Sequence, residues 1–155
     1  MKLLKKTTLA PLVLTCLCMI LFSFSGKKGG DSFQIYVDGK LLVEQFVHIN
    51  KGVQNLQLGQ LSSKEKIEVY YNHCGKTGKS RIISIKSADN KTLKEWKFAD
   101  TEKKSFMTCQ IKEILALQKI KSSKLNLYYS SKELPEGRLL AVINNVDTKT
   151  ASIIH

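Results

Sequence analysis

Arginine is almost absent from this chain. Arg81 and Arg138 are the only two among 25 basic residues, so the positive charge is carried by lysine. Base-edge readout and bidentate phosphate contacts favour arginine's planar fork, so no specific nucleic-acid partner is expected. The lysines are scattered along the sequence. They read as a solvated surface with weak attraction to anionic surfaces or polyanions, not as a focused field.

Catalytic signatures are also missing. There is no C-x-x-C, H-x-x-x-H or H-E-x-x-H, the spacings that mark metal sites, and no G-x-S-x-G of a serine hydrolase. Glu65 with Glu68, and Glu133 with Glu136, are more simply surface charge than a glycosidase pair. No cofactor is expected, and the balance leans away from an enzyme. Internal repeats and low-complexity tracts are absent, as is the strand–helix alternation a parallel sheet requires.

What is present begins with an export signal. Lys2, Lys5 and Lys6 precede an apolar run over Leu9–Phe24, and Ser23 and Ser25 supply small residues before Gly26. This is the layout of a secretory signal peptide over 1–25. The apolar run is shorter than the roughly 18 residues of a spanning helix, and Pro11 interrupts it. Cleavage near Ser25 removes 25 of 155 residues and leaves 130, the size of one domain. It also leaves 22 basic against 13 acidic residues, a charge of +9. Residues 26–32 read as a flexible lead-in and 33–155 as a single domain. The destination is the periplasm, the envelope or the exterior.

Beyond the lead-in the pattern is strand and turn. Phe33–Val37 alternates, Asp38-Gly39 is a hairpin signal, and Leu41–Val47 returns with two competing apolar registers. Leu56, Leu58 and Leu61 suggest a further short element. Ile67, Val69 and Tyr71 share a face, as do Ile83 and Ile85. Ala88–Lys91 is a turn by composition, and Thr92–Phe98 returns. Phe106–Ile120 fits both periods, and a short helix over Ile111–Gln118 is the reading adopted. Leu125–Tyr129 alternates, Leu134–Gly137 reads as a turn, and Arg138–Asn144 is apolar on both faces, like a central strand. About seven to eight short strands predict an all-β fold, an antiparallel β-sandwich.

The chemically suggestive stretch is YYNHCGKTGKSR, Tyr70 to Arg81. It lacks the first glycine of a phosphate-binding loop. The residues that follow it are alternating and β-branched, where such a loop needs a helix. With Cys16 and Cys18 in the signal segment, Cys74 and Cys109 remain, and an oxidising compartment predicts that they pair. A sharper alternative is a metal or thiol site drawn from His73, Cys74 and His48. A third reading uses Lys76, Lys79 and Arg81, with Tyr70 beside them. Gly75 and Gly78 would let backbone amides converge on an anion. The function this supports is an exported β-domain that binds or scaffolds at the cell envelope. The partners expected are an envelope polyanion, a glycan or another envelope protein, with membrane contact only through the signal segment.

Overall fold

The computed structural model describes residues 30–49, 52–58, 65–101, 103–121 and 124–144. The expected signal peptide and the first part of the lead-in lie outside them. Among the described residues, nine strands and one helix follow in order. They are β1 (Ser32–Val37), β2 (Lys40–Phe46), β3 (Gln54–Gln57), β4 (Lys66–Asn72), β5 (Arg81–Lys86), β6 (Thr92–Phe98), β7 (Met107–Gln110), α1 (Ile111–Lys121), β8 (Leu125–Ser131) and β9 (Leu134–Asn144). They form two sheets, ordered β2-β1-β4-β7 and β3-β9-β8-β5-β6. Every pairing is antiparallel except β3 with β9. The fold is all-β with one short helix, as expected.

Alternation explains the strands. β1 turns Phe33, Ile35 and Val37 inward; β4 turns Ile67, Val69 and Tyr71 inward; β8 turns Leu125, Leu127 and Tyr129 inward. These residues, with Ile83 and Ile85 of β5 and Leu140, Ala141 and Ile143 of β9, form one hydrophobic core drawn from both sheets. Asp38 and Gly39 take positive φ values of 47° and 79°, the mirror-image turn that suits a two-residue hairpin. A register shift beside Tyr36 settles the ambiguous strand. Only Val43 of β2 is buried, while Leu41 and Leu42 are both exposed at this sheet edge.

The segment with two competing periods uses both in succession. Met107 and Cys109 alternate inward on β7, and the helix starts at Ile111 and buries Ile114 and Gln118. Glu113 in its first turn accepts Trp96 Nε1 at 2.8 Å and meets Lys94 Nζ at 3.3 Å, which ties the helix to β6. Among the described residues no helix is long and apolar enough to cross a membrane.

Two expectations are corrected. Leu134–Gly137 is not a turn: the chain reverses at Lys132-Glu133, and β9 already begins at Leu134. Pro135 and Gly137 are absorbed by irregular pairing with β8, where a strand tolerates both residues. The lead-in also ends earlier than expected. Ser32 belongs to β1, and Asp31 O accepts the Val47 amide at 2.8 Å.

Gly137 has φ of 73°, and a Cβ there would stand 3.1 Å from Tyr129 O. Gly137→Ala is expected to cost about 1–3 kcal/mol, read as a lower urea midpoint with an unchanged m-value.

Candidate functional site

The stretch after β4 is a built structure. His73 and Lys76 exchange backbone hydrogen bonds of 2.9 and 3.0 Å around Cys74-Gly75, whose φ values are 50° and 92°. Asn72 Oδ1 accepts the Gly75 amide at 2.8 Å. Further on, the Lys79 amide donates to Glu133 Oε2 at 2.9 Å and the Ser80 amide to Asp100 Oδ1 at 2.6 Å. Lys79 O in turn accepts the Lys132 amide at 2.8 Å. The expected amide nest is therefore corrected. The amides of Gly75, Lys76, Lys79 and Ser80 are held by the protein's own acceptors, because the reversal and the neighbouring β8–β9 turn need them first.

Beneath the loop lies a polar network that crosses between the sheets. Tyr71 of β4 stacks on Tyr129 of β8 with ring centroids 4.2 Å apart, and the His73 ring lies 4.7 Å from Tyr71. His73 Nε2 meets Tyr129 Oη at 2.9 Å and Ser131 Oγ at 3.1 Å, and Nδ1 faces Asp31 Oδ2 at 3.4 Å. Tyr71 donates its hydroxyl to the same Oδ2 at 3.0 Å, and Arg138 Nη1 donates to Tyr71 Oη at 2.7 Å. Burial first, then the Asp31 charge, pushes the Tyr71 hydroxyl well above its ordinary range against the opposing Arg138 charge. Burial likewise raises Tyr129. Both phenols stay protonated.

Gly78 roofs this network. A Cβ there would stand 2.5 Å from Tyr129 Oη and 2.8 Å from His73 Nε2, so close approach requires glycine. The bonds Asp31–His73–Ser131 have the connectivity of a hydrolase triad. Yet Ser131 is only 5% exposed, and Tyr129 shares the same Nε2. The arrangement positions the loop and offers no accessible nucleophile.

The cysteines do not pair; both are free, which corrects the disulfide expectation. Cys109 pairs with Ile67 at one end of β4, whereas Cys74 follows Asn72 at the other. Five residue steps of strand separate Ile67 from Asn72, about 17 Å, far beyond the roughly 7 Å limit for bridged Cα atoms. Desolvation, then a hydrogen bond to Asp31 Oδ1 at 3.5 Å and that carboxylate's charge, raises the Cys74 thiol although it is exposed. Burial pushes Cys109 up to about 12, with Glu113 adding to the shift and Lys94 opposing it. Neither is an activated thiolate.

The anion candidates separate. Lys76 and Lys79 are exposed and line an open cleft of about 550 Å³ with Gly75, Thr77, Asp100 and Thr101. Arg81 does not join them. It is buried, donating from Nη1 to Ser105 O at 3.1 Å and from Nη2 to Ala99 O at 2.7 Å. β-alternation turns it inward with Ile83 and Ile85. Tyr70 points to the opposite face of β4 from Tyr71, edge-on to Phe106 and beneath the Lys104 ammonium. His48 sits in the turn after β2 against Gly30. Among the described residues no three of His, Cys, Asp and Glu form a metal-holding group.

Asp31, Ser131, Glu133 and Arg138 escaped sequence reasoning as site residues because their partners lie far away in the chain. One signal was present: Tyr71 and Tyr129 occupy inward positions of apolar strands, and a buried phenol needs a hydroxyl partner. No protein-family model matches this sequence, and no curated protein matches it.

Two outcomes follow from this geometry. Iodoacetamide labelling of native protein with peptide mapping should modify Cys74 and spare Cys109; a Cys74–Cys109 linked peptide would contradict the free thiols. Burial opposes ionisation of Glu133, but hydrogen bonds from the Lys79 amide, its own amide and Ser131 outweigh it and lower its pKa from 4.5. A carboxyl lowered on folding stabilises above its unfolded value and loses that contribution as pH falls through the folded one. The stability gap between wild type and Glu133→Gln in urea should thus be constant above pH 4.5 and shrink below it. A gap independent of pH would refute the assignment.

Proposed function

We propose that this chain is an exported β-domain of the cell envelope that works by binding or scaffolding, with Lys76 and Lys79 as its contact for an anionic group. The observation that carries the reading is the open cleft in which these two exposed lysines stand with Thr77, Thr101 and Asp100, whose Oδ1 is engaged by the Ser80 amide. Among the described residues neither lysine has an ion-pair partner. Ammonium groups are compact charges that suit phosphate, sulfate or carboxylate without demanding a planar match. The rigid support below adds preorganisation, since little loop ordering is left to be done on binding.

The export part of the proposal is supported by the basic start, the short apolar run and the small residues before Gly26. A thiol-based reading is weaker because both thiols are held protonated.

Titration calorimetry with inorganic polyphosphate at low salt tests the reading. Lys76→Ala/Lys79→Ala should weaken binding by about tenfold, the scale of two exposed ion pairs, and added salt should weaken the wild type. Equal binding by wild type and the double variant would remove the loop from the function. Turnover in a hydrolase or thiol-exchange screen, lost on Cys74→Ala, would overturn the non-catalytic reading.

A further inference from the structure

The exposed large hydrophobic residues are not scattered. Leu41, Leu42, Phe46, Ile49 and Val53 are 42–50% exposed and fall within one stretch of sequence along and after the edge strand β2. Phe106 is the only other among the described residues. Along this ribbon, Leu41 and Leu42 stand at the hairpin end of β2, whereas Phe46 and Ile49 stand at the other, so Phe46 with Ile49 is the exposed apolar pair at the loop end.

Strand register shows what lies beside the ribbon. Ser32 pairs with Phe46 on one side and with Asn72 on the other. Phe46 and Asn72 therefore flank β1 at the same end of the sheet, about 10 Å apart. Ile49 follows Phe46 there, with its amide on Phe46 O at 3.1 Å, and the Lys76–Lys79 loop follows Asn72. Arg81 pairs with Phe98, which brings Asp100 and Thr101 to this end as well. Three features thus meet at one end of the domain: exposed Phe46 and Ile49, two lysines without an ion-pair partner among the described residues, and the cleft they line.

From this juxtaposition we infer that the loop end of the domain docks on an anionic lipid bilayer. Phe46 and Ile49 enter the interfacial layer, and Lys76 and Lys79 lie at the level of lipid phosphate. The inference rests on the anion-binding reading of the loop and names lipid phosphate as the anion. Apolar side chains beside lysines are the combination that holds proteins at such interfaces, because apolar burial and attraction to anionic lipid add. The overall excess of lysine acts in the same direction at longer range. Asp31, Asp100 and Glu133 keep their charges at this end, but each is held in place by hydrogen bonds from the protein, and among the described residues none forms an ion pair with Lys76 or Lys79, so both ammonium groups remain available to lipid phosphate.

The test places the reporter on the ribbon, so that binding through the N-terminal segment is not mistaken for docking. Full-length protein carries Phe46→Trp with Trp96→Phe; a second form carries Ile49→Trp in the same background, and circular dichroism checks both folds. Each is mixed with phosphatidylglycerol vesicles containing brominated acyl chains. Docking predicts a blue-shifted and quenched indole, with both effects lost in phosphatidylcholine vesicles and on Lys76→Glu/Lys79→Glu. A water-exposed emission while the protein sediments with vesicles overturns the proposal. So does quenching that is equal in neutral vesicles and in the lysine variant. A blue shift without lipid that grows with protein concentration also overturns it, and assigns the ribbon to a second copy of the chain. Inorganic polyphosphate titrated into the same proteins separates the two readings. Retained polyphosphate binding without vesicle insertion refutes docking alone, whereas loss of both refutes the anion site itself.

Discussion

The stack of Tyr71 on Tyr129 is the contact on which the rest of this end depends. Two large rings bring β4 of one sheet onto β8 of the other, and both carry hydroxyl groups that cannot be buried unpartnered. Satisfying them fixes the neighbourhood. His73 is held between Tyr129 and Asp31, Arg138 is drawn to Tyr71, and Asp31 anchors the chain just before β1. The loop above inherits its shape from that requirement. His73 is its first residue, and Gly78 is its closest approach to the network. A partly buried polar network at the junction of two sheets, with both phenols fully enclosed, favours one arrangement, because an alternative would leave the phenol hydroxyls as costly orphan groups.

This arrangement gives the charges around the loop separate roles. Arg81 is turned inward and holds the carbonyls of Ala99 and Ser105, bracing the segment that carries Asp100 and Thr101. Glu133 and Asp100 hold loop amides. What projects into solvent is lysine, set on a frame that already has its own hydrogen bonds. The same end of the sheet carries Phe46, which flanks β1 on the side opposite Asn72.

Much of the fold was legible in the sequence, for a physical reason. A strand half-buried on one face must alternate, and β1, β4 and β8 do so without interruption. β2 was not legible, because a register shift at a sheet edge frees Leu41 and Leu42 from the alternation rule. The Phe106–Ile120 segment gave two periods because a strand and a helix follow each other there without a loop. Less of the candidate site was legible. The exposed loop positions of Lys76 and Lys79 were legible, since loop residues announce themselves by composition. Arg81 misled, because a buried arginine in β-alternation looks like a surface one until the carbonyls it binds are located. Asp31 and Ser131 left no trace, since each acquires meaning only from His73, 42 and 58 positions away. Cys74 and Cys109 suggested a bond that strand length forbids.

The central claim is that the network under Tyr71 and Tyr129 holds the loop as a rigid platform. Amide hydrogen exchange at Gly75, Lys76, Lys79 and Ser80 tests it most directly, comparing the native chain with His73→Ala. The account predicts slow exchange in the native protein, comparable to the ends of β4 and β5. In the variant these four amides should exchange fast while the strand interiors remain protected. Exchange at these positions in the native protein at the rate of an unstructured peptide would contradict it.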